Sequence, residues 1–327
     1  MPEAHQPAAV RPALSLQPPN FSAKDPGIGG WRHLFDQARG ADAAGIDRLV
    51  VSDHVVLGEN LEVYGDPKAG GTKGGVQPTG PDGQWLDPIV LLSMWAAITK
   101  RTRFLTGILI APLRRPATLA KQLSTLDVLS EGRLDIGVGV GWQREEYEAN
   151  GIEYDGRGKL LDETLEICQT LWRNESAGHQ GKLARFERIH LNPKPVHPCG
   201  VPFWISGTLN PNVLRRIVKY GSGWIPWGPD GMNPIEGLKK IREELVKAGR
   251  SAEGFEATSY IQVAYTTEKS GASKKIDVEK TMAHVPAMVA GGLTDLRITL
   301  DLPTSQAAVE DLLTPLVKAF RQAAGRR

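Results

Sequence analysis

The chain has 327 residues, 41% of them apolar, 23% charged and 6% aromatic, a balance that excludes a disordered or fibrous protein. Lysine and arginine number 39 against 37 acidic residues, and the resulting +2 is too small to steer nucleic acid or an anionic membrane by bulk charge. Cys168 and Cys199 stand alone, without a CxxC or a Cys/His cluster, which excludes a disulfide framework and a zinc centre of the usual spacing.

Met1 to Pro12 is rich in alanine and proline, has no signal-like apolar run, and reads as a flexible tail ahead of one domain over residues 13–327. From there, short β-branched runs alternate with helical patterns eight times, the signature of a parallel sheet covered by helices. Strands are expected over Ala13–Gln17, Arg48–Ser52, Arg103–Ile110, Arg133–Gly139, Val201–Ser206, Gly223–Trp227, Glu256–Tyr265 and Thr294–Leu300. Eight repeats in one domain predict an α/β TIM (β/α)8 barrel. Asp87-Pro88 supplies an N-cap oxygen and a preset φ for the helix after strand two, and Pro116 and Gly132 bracket the helix after strand three. Leu161, Leu165, Cys168 and Trp172 recur on one helical face, so Cys168 is expected in the core. Pro88 to Thr99 is the longest strongly apolar stretch and is too short to cross a bilayer, so a cytoplasmic protein is expected.

Glu59 to Gln84 interrupts this rhythm. It is rich in glycine and proline, lacks a hydrophobic period and inserts between strand two and its helix, as a lid at the C-terminal rim or as a disordered insertion. Several familiar chemistries lack their residues. Gly137, Gly139 and Gly141 alternate within a strand rather than forming a dinucleotide-binding turn, and no P-loop, HExxH or GxSxG occurs. Asp53 and His54 follow directly on a buried strand and reach the barrel mouth, where His54 is a candidate proton donor or acceptor with Asp53 or a backbone group fixing its tautomer. A histidine that merely closes the strand is the alternative. Ser206, Thr208 and Asn210 precede a helix that starts near Pro211, a place for ordinary N-capping, a bound phosphate, or both. Trp142, Trp224 and Trp227 follow strands four and six, where large rings line a cleft or fill the core.

These residues carry a resemblance. Ala44-Gly45-Ile46-Asp47 leading into Val51-Ser52-Asp53-His54, Thr106 to Pro112, Leu119-Ala120-Lys121-Gln122 and Leu126 to Arg133 match in order and spacing. So do Gly137 to Trp142 with Glu145-Glu146, Pro193-Lys194-Pro195 and Trp204 to Gly207. From about Ala13 to Gly228 the chain resembles the bacterial luciferase-like flavin and deazaflavin oxidoreductases, and it looks closest to the branch that uses coenzyme F420. The resemblance implies a tricyclic cofactor across the barrel mouth, with its phosphate near Ser206, Gly207 and Thr208. It also implies ring contacts at Asp53, His54, Val140 and Gly141, and a non-proline cis peptide at Ile108-Leu109. Val140 stands where the luciferase subunits carry a phosphate-binding arginine. Trp142 stands where the sugar-phosphate dehydrogenase branch carries a catalytic glutamate, and Glu145 is a candidate to face the same cleft. The implied function is hydride transfer between F420 and a small organic substrate, with His54 and Asp53 catalytic and no metal. The alternatives are an FMN-dependent monooxygenase supplied by a separate reductase and a non-catalytic flavin-binding protein. A homodimer through the helices near strands two and three is expected from the same resemblance.

Overall fold

Runs of apolar and β-branched residues pair edge to edge in the computed structural model, which describes residues 10–267 and 274–326. Eight of these strands are parallel: β1 (Ala13–Leu16), β2 (Arg48–Val51), β3 (Arg103–Ile110), β4 (Leu134–Gly139), β5 (Phe203–Gly207), β6 (Gly221–Pro226), β7 (Glu256–Tyr260) and β8 (Asp295–Ile298). Each pairs with its neighbours in sequence, and β1 pairs with both β2 and β8, so the sheet closes into the expected TIM barrel. The seventh strand ends at Tyr260, short of the expected Tyr265, which belongs instead to a separate antiparallel pair, Tyr265–Thr267 with Lys274–Ile276. Residues 1–9 of the expected N-terminal tail lie outside the described residues.

The covering helices are α1 (His33–Ala44), α2 (Pro88–Ile98), α3 (Pro116–Leu129), α4 (Arg144–Ala149), α5 (Arg157–Arg173), α6 (Pro211–Tyr220), α7 (Pro234–Lys247), α8 (Val278–Met282), α9 (Val285–Ala290) and α10 (Gln306–Ala323). Their starts follow local chemistry: the Asp87 carboxylate accepts the Val90 N–H at 3.0 Å, Pro88 opens α2 and Pro116 opens α3. Gly132, just beyond α3, has φ 77°, a conformation glycine adopts without steric cost. Cys168 is fully buried on α5, and burial pushes its thiol far above the ordinary range, so it serves as a small core side chain. None of the described helices is long and apolar enough to cross a membrane.

Strand alternation divides the interior into layers. Leu296 and Ile298 of β8 join the apolar shell between barrel and helices, while Asp295 and Arg297 face the barrel axis. At the N-terminal end of that axis the Arg48 guanidinium meets Asp295 at 2.7 Å, Asp135 at 3.2 Å and Glu256 at 3.4 Å, and lies over the Trp204 ring. Burial opposes ionisation of Asp295, but Arg48, Arg297 and the hydroxyls of Ser15 and Thr258 outweigh it and hold the carboxyl below its usual range. Glu256 behaves oppositely: burial, with Asp135 and Asp295 nearby, overrides Arg48 and pushes it up to about 7. Above this charged layer, Val50, Leu105, Trp204 and Ile225 form a small apolar plug. Above the plug, the C-terminal end of the barrel holds a cavity bordered by the insertion after β2.

The insertion between β2 and α2 is ordered. It contains a 3₁₀ turn, Leu61–Gly65, and ends in Gln84–Trp85, which pairs antiparallel with Phe21–Ser22 from the loop after β1. Asn20 fastens the same region, donating to the carbonyls of Ser52 at 2.9 Å and Leu86 at 3.0 Å.

Candidate active site

A cavity of about 310 Å³ occupies the C-terminal mouth of the barrel, within the size range of small-molecule sites. Its walls come from the C-terminal ends of the barrel strands, from the loop after β1 and from the insertion. Ile108, Val140, Trp142 and Trp227 give it apolar and aromatic faces suited to a flat ring. Val140 and Gly141 therefore lie where the sequence places them, at the cavity wall. The non-proline cis peptide is Gly107–Ile108, one residue before the expected Ile108-Leu109, within the irregular register of β3 between Thr106 and Leu109. Ile108 lines the cavity. Leu109 does not: it pairs with Val138 in the sheet and its side chain is buried in the outer apolar shell.

Asp53 and His54 diverge as β2 ends. The Asp53 carboxylate accepts from Ile110 N–H at 2.8 Å and from both Arg114 terminal nitrogens at 2.6 and 2.9 Å. Burial works against the Arg114 charge, but this bidentate pair raises its pKa. Asp53 still touches the cavity, yet its charge is spent on holding β3 and the segment after it. It is not the partner that orients His54.

That partner is Glu146 on α4. Its side chain is fully buried, one oxygen accepts the Val55 N–H at 2.9 Å, and the other lies 3.2 Å from His54 Nδ1. The contact is within ion-pair distance but is not a hydrogen bond, and both atoms lack a bonded partner. An ionised carboxylate only accepts, so it favours a proton on Nδ1. The opposite nitrogen, Nε2, meets the Gln77 side-chain amide nitrogen at 3.4 Å on the cavity side. The imidazole is held edge-on by Trp85 and Trp142, with centroids at 4.7 and 5.9 Å. Glu145, the neighbouring candidate, points elsewhere: it bonds Asn60 of the insertion and is not among the cavity-lining residues. The helical phase of α4 separates the two, burying Glu146 and leaving Glu145 half-buried against the insertion.

At the far end of the cavity, Ser206 and Gly207 line the wall as expected. Thr208 turns away and its hydroxyl donates to the Trp227 carbonyl at 3.0 Å. The start of α6 shows the N-capping alternative, for Asn210 Oδ1 accepts the N–H groups of Asn212 and Val213, both at 3.0 Å, and Asp230 accepts that of Leu209 at 2.5 Å. A phosphate at this place would rest on Ser206 and Gly207 rather than on the helix terminus. Trp224 belongs to the core: it projects outward from β6 against Gly237 of α7 and its Nε1 donates to the Gly207 carbonyl at 3.0 Å.

The insertion roofs this site. Tyr64 packs on Trp142 and Trp227 at 5.4 and 5.9 Å, and burial raises its phenol pKa. Trp227 Nε1 donates to the carbonyls of Gly70 and Gly71, each at 3.2 Å. Tyr154 and Arg157 donate to the Ala69 carbonyl at 3.2 and 3.0 Å. These contacts place the segment in the cavity wall, with Tyr64, Gly70, Gln77 and Pro78 lining it. Sequence reasoning missed Glu146 as a partner and also missed Gln17, Tyr64, Gln77, Tyr260 and Arg297, all five of which line the cavity. Arg297 carried a readable signal, since Asp295 and Arg297 share one face of an otherwise apolar strand. Among the described residues, no three His, Cys, Asp or Glu side chains gather as a metal site.

Residues 13–310 match the model of the luciferase-like monooxygenase family, and the chain belongs to that family. An uncharacterized protein of Mycobacterium tuberculosis is 34% identical over 165 residues, covering 50% of this chain and 58% of that relative. Two solved structures share the fold. An F420-dependent secondary alcohol dehydrogenase in complex with an F420-acetone adduct has a TM-score of 0.69 at 16% identity, covering 95% of this chain and 99% of its own. The oxygenating constituent of 3,6-diketocamphane monooxygenase from Pseudomonas putida, in complex with FMN, also has a TM-score of 0.69, at 15% identity, covering 96% of this chain and 98% of its own.

Proposed function

We propose that this protein is an oxidoreductase that binds a deazaflavin, coenzyme F420, in the barrel-mouth cavity and transfers hydride to or from a small organic substrate, with His54 moving the proton. The observation that carries the reading is the His54–Glu146 pair, a titratable ring backed by a buried carboxylate and facing an aromatic-walled cavity. When bound, the deazaflavin supplies the two-electron chemistry. The chain supplies the rest. Ile108, Val140 and Trp142 hold a flat ring, and Ser206 and Gly207 stand at its far end. Tyr64 and the insertion keep water out. His54 Nε2 accepts a proton from an alcohol or, once protonated, donates one to a carbonyl.

FMN is the second reading, favoured by the equal likeness to the FMN-bound monooxygenase. Against it stands the uncharged Val140 at the wall. Titration of the purified protein with F420 and with FMN decides the matter. Tight F420 binding is expected, and FMN binding with no affinity for F420 would reverse the assignment. We also propose a homodimer through α2, which leaves Val90 and Met94 exposed. Sedimentation of the wild type and of Met94→Glu tests it.

A further inference from the structure

Resting on the reading that this cavity holds a redox ring, a second question is what charge the ligand carries, and Arg297 answers it. Its guanidinium closes the cavity floor, is 0% exposed, and lies under β3, where a side chain at Gly107 would come within 2.9 Å of Nη1. Its cation lies 5.4 Å from the centroid of the Tyr260 ring, and its hydrogen bonds are all long. Nη1 is 3.3 Å from the Tyr260 hydroxyl and 3.5 Å from Gln17 Oε1, and Nη2 is 3.5 Å from both Thr258 Oγ1 and Asp295 Oδ2. Nε has no partner. Charge-assisted bonds to a guanidinium usually span about 2.7–2.9 Å, so this cation is poorly matched within the protein.

Nearby carboxylates offset this charge only in part, for the one ion pair, with Asp295, spans 3.5 Å. Asp295 is committed to Arg48 and Thr258, each at 2.7 Å, and to Ser15. Asp53 is closed by Arg114, and Glu146 sits behind His54. The neutral Gln17 and Tyr260 are the cavity-lining groups that touch Arg297. A buried cation short of acceptors is costly unless an anion completes it.

We propose that Arg297 makes the cavity floor select a ligand whose inner edge is a planar, delocalised monoanion. Such an edge offers paired acceptors to the guanidinium fork. It comes either from the carboxylate of an organic substrate or from the deprotonated edge of the reduced ring, and Gln17 and Tyr260 give way to it.

The test uses purified full-length wild type, Arg297→Gln and Gln17→Glu. The second variant sets a carboxylate against Arg297 and keeps the test open should Arg297→Gln fail to fold. Benzoate and its neutral analogue benzamide are titrated by tryptophan fluorescence. Preference for benzoate of at least about tenfold in the wild type, lost in the variants, assigns the anion to the substrate. The midpoint potential of bound F420 or FMN is measured in parallel. A potential lower by about 30 mV or more in the variants, equivalent to a tenfold weaker preference for the reduced form of a two-electron couple, assigns the anion to the ring. No benzoate preference together with an unchanged potential overturns the proposal. If neither cofactor binds, the proposed function fails, and the benzoate titration still decides the role of Arg297.

Discussion

His54 Nδ1 and Glu146 Oε2 lie 3.2 Å apart, a contact close enough for each side chain to shape the other's charge, which makes their variants informative. His54→Asn is expected to lower kcat by about 10²–10⁴ while cofactor Kd stays within a few-fold, measured by steady-state kinetics beside equilibrium titration. Glu146→Gln keeps an acceptor for the Val55 N–H but offers the imidazole an amide in place of a carboxylate. It is expected to cost about 10–100-fold in kcat and to change the shape of its pH profile, which a purely structural contact would leave alone. Asp53 calls for a different measurement. Arg114→Met strands a buried carboxylate and is expected to destabilise the fold by about 3–5 kcal/mol in urea melts, with part of the loss recovered by adding Asp53→Asn. The histidine was legible in the sequence because a titratable residue follows directly on the apolar run Leu49-Val50-Val51. Its partner was not, because Glu145 and Glu146 are chemically identical and only the rotation of α4 about its axis tells them apart.

At the level of elements, legibility followed periodicity. The barrel strands could be read from short apolar or β-branched runs alternating with helical patterns, even where, as in β7, few residues are apolar, and their ends moved where pairing, not composition, sets the limit, as at Tyr260. The hairpin of Ala177–Gln180 with Arg185–Ile189 escaped notice because most of its residues are polar and exposed. The insertion has no period at all, and its shape comes from donors on the barrel that lie far away in sequence. The glycines of β4 make a testable case of close packing. A Cβ at Gly137 would lie 2.1 Å from the Thr106 carbonyl oxygen and 2.5 Å from the Ile225 side chain. Gly137→Ala is expected to destabilise the protein by about 3 kcal/mol, read as a lower urea midpoint.

Over the whole molecule, the barrel stacks a charged base, an apolar plug and a ligand chamber along one axis, and the base gives stability a pH dependence. Glu256 titrates near 7 in the fold against 4.5 when free, so the folded state binds the extra proton between those values. Its contribution is complete below about pH 4.5 and is lost as pH rises through 7. Asp295 has the opposite sign, but its window lies below its ordinary carboxylate range. Urea melts from pH 5 to 8 are expected to show falling stability, by at most about 3 kcal/mol, and Glu256→Gln is expected to flatten the slope. The fastening of the lid has a different reach. At Ala69, Gly70 and Gly71 the barrel grips main-chain oxygens, which every amino acid possesses, and not side chains. The side chain at Ala69 can therefore change without undoing the clasp, whereas Gly70, at φ 101°, and Gly71, whose added Cβ would lie 2.1 Å from the Tyr64 carbonyl oxygen, hold the strap to glycine.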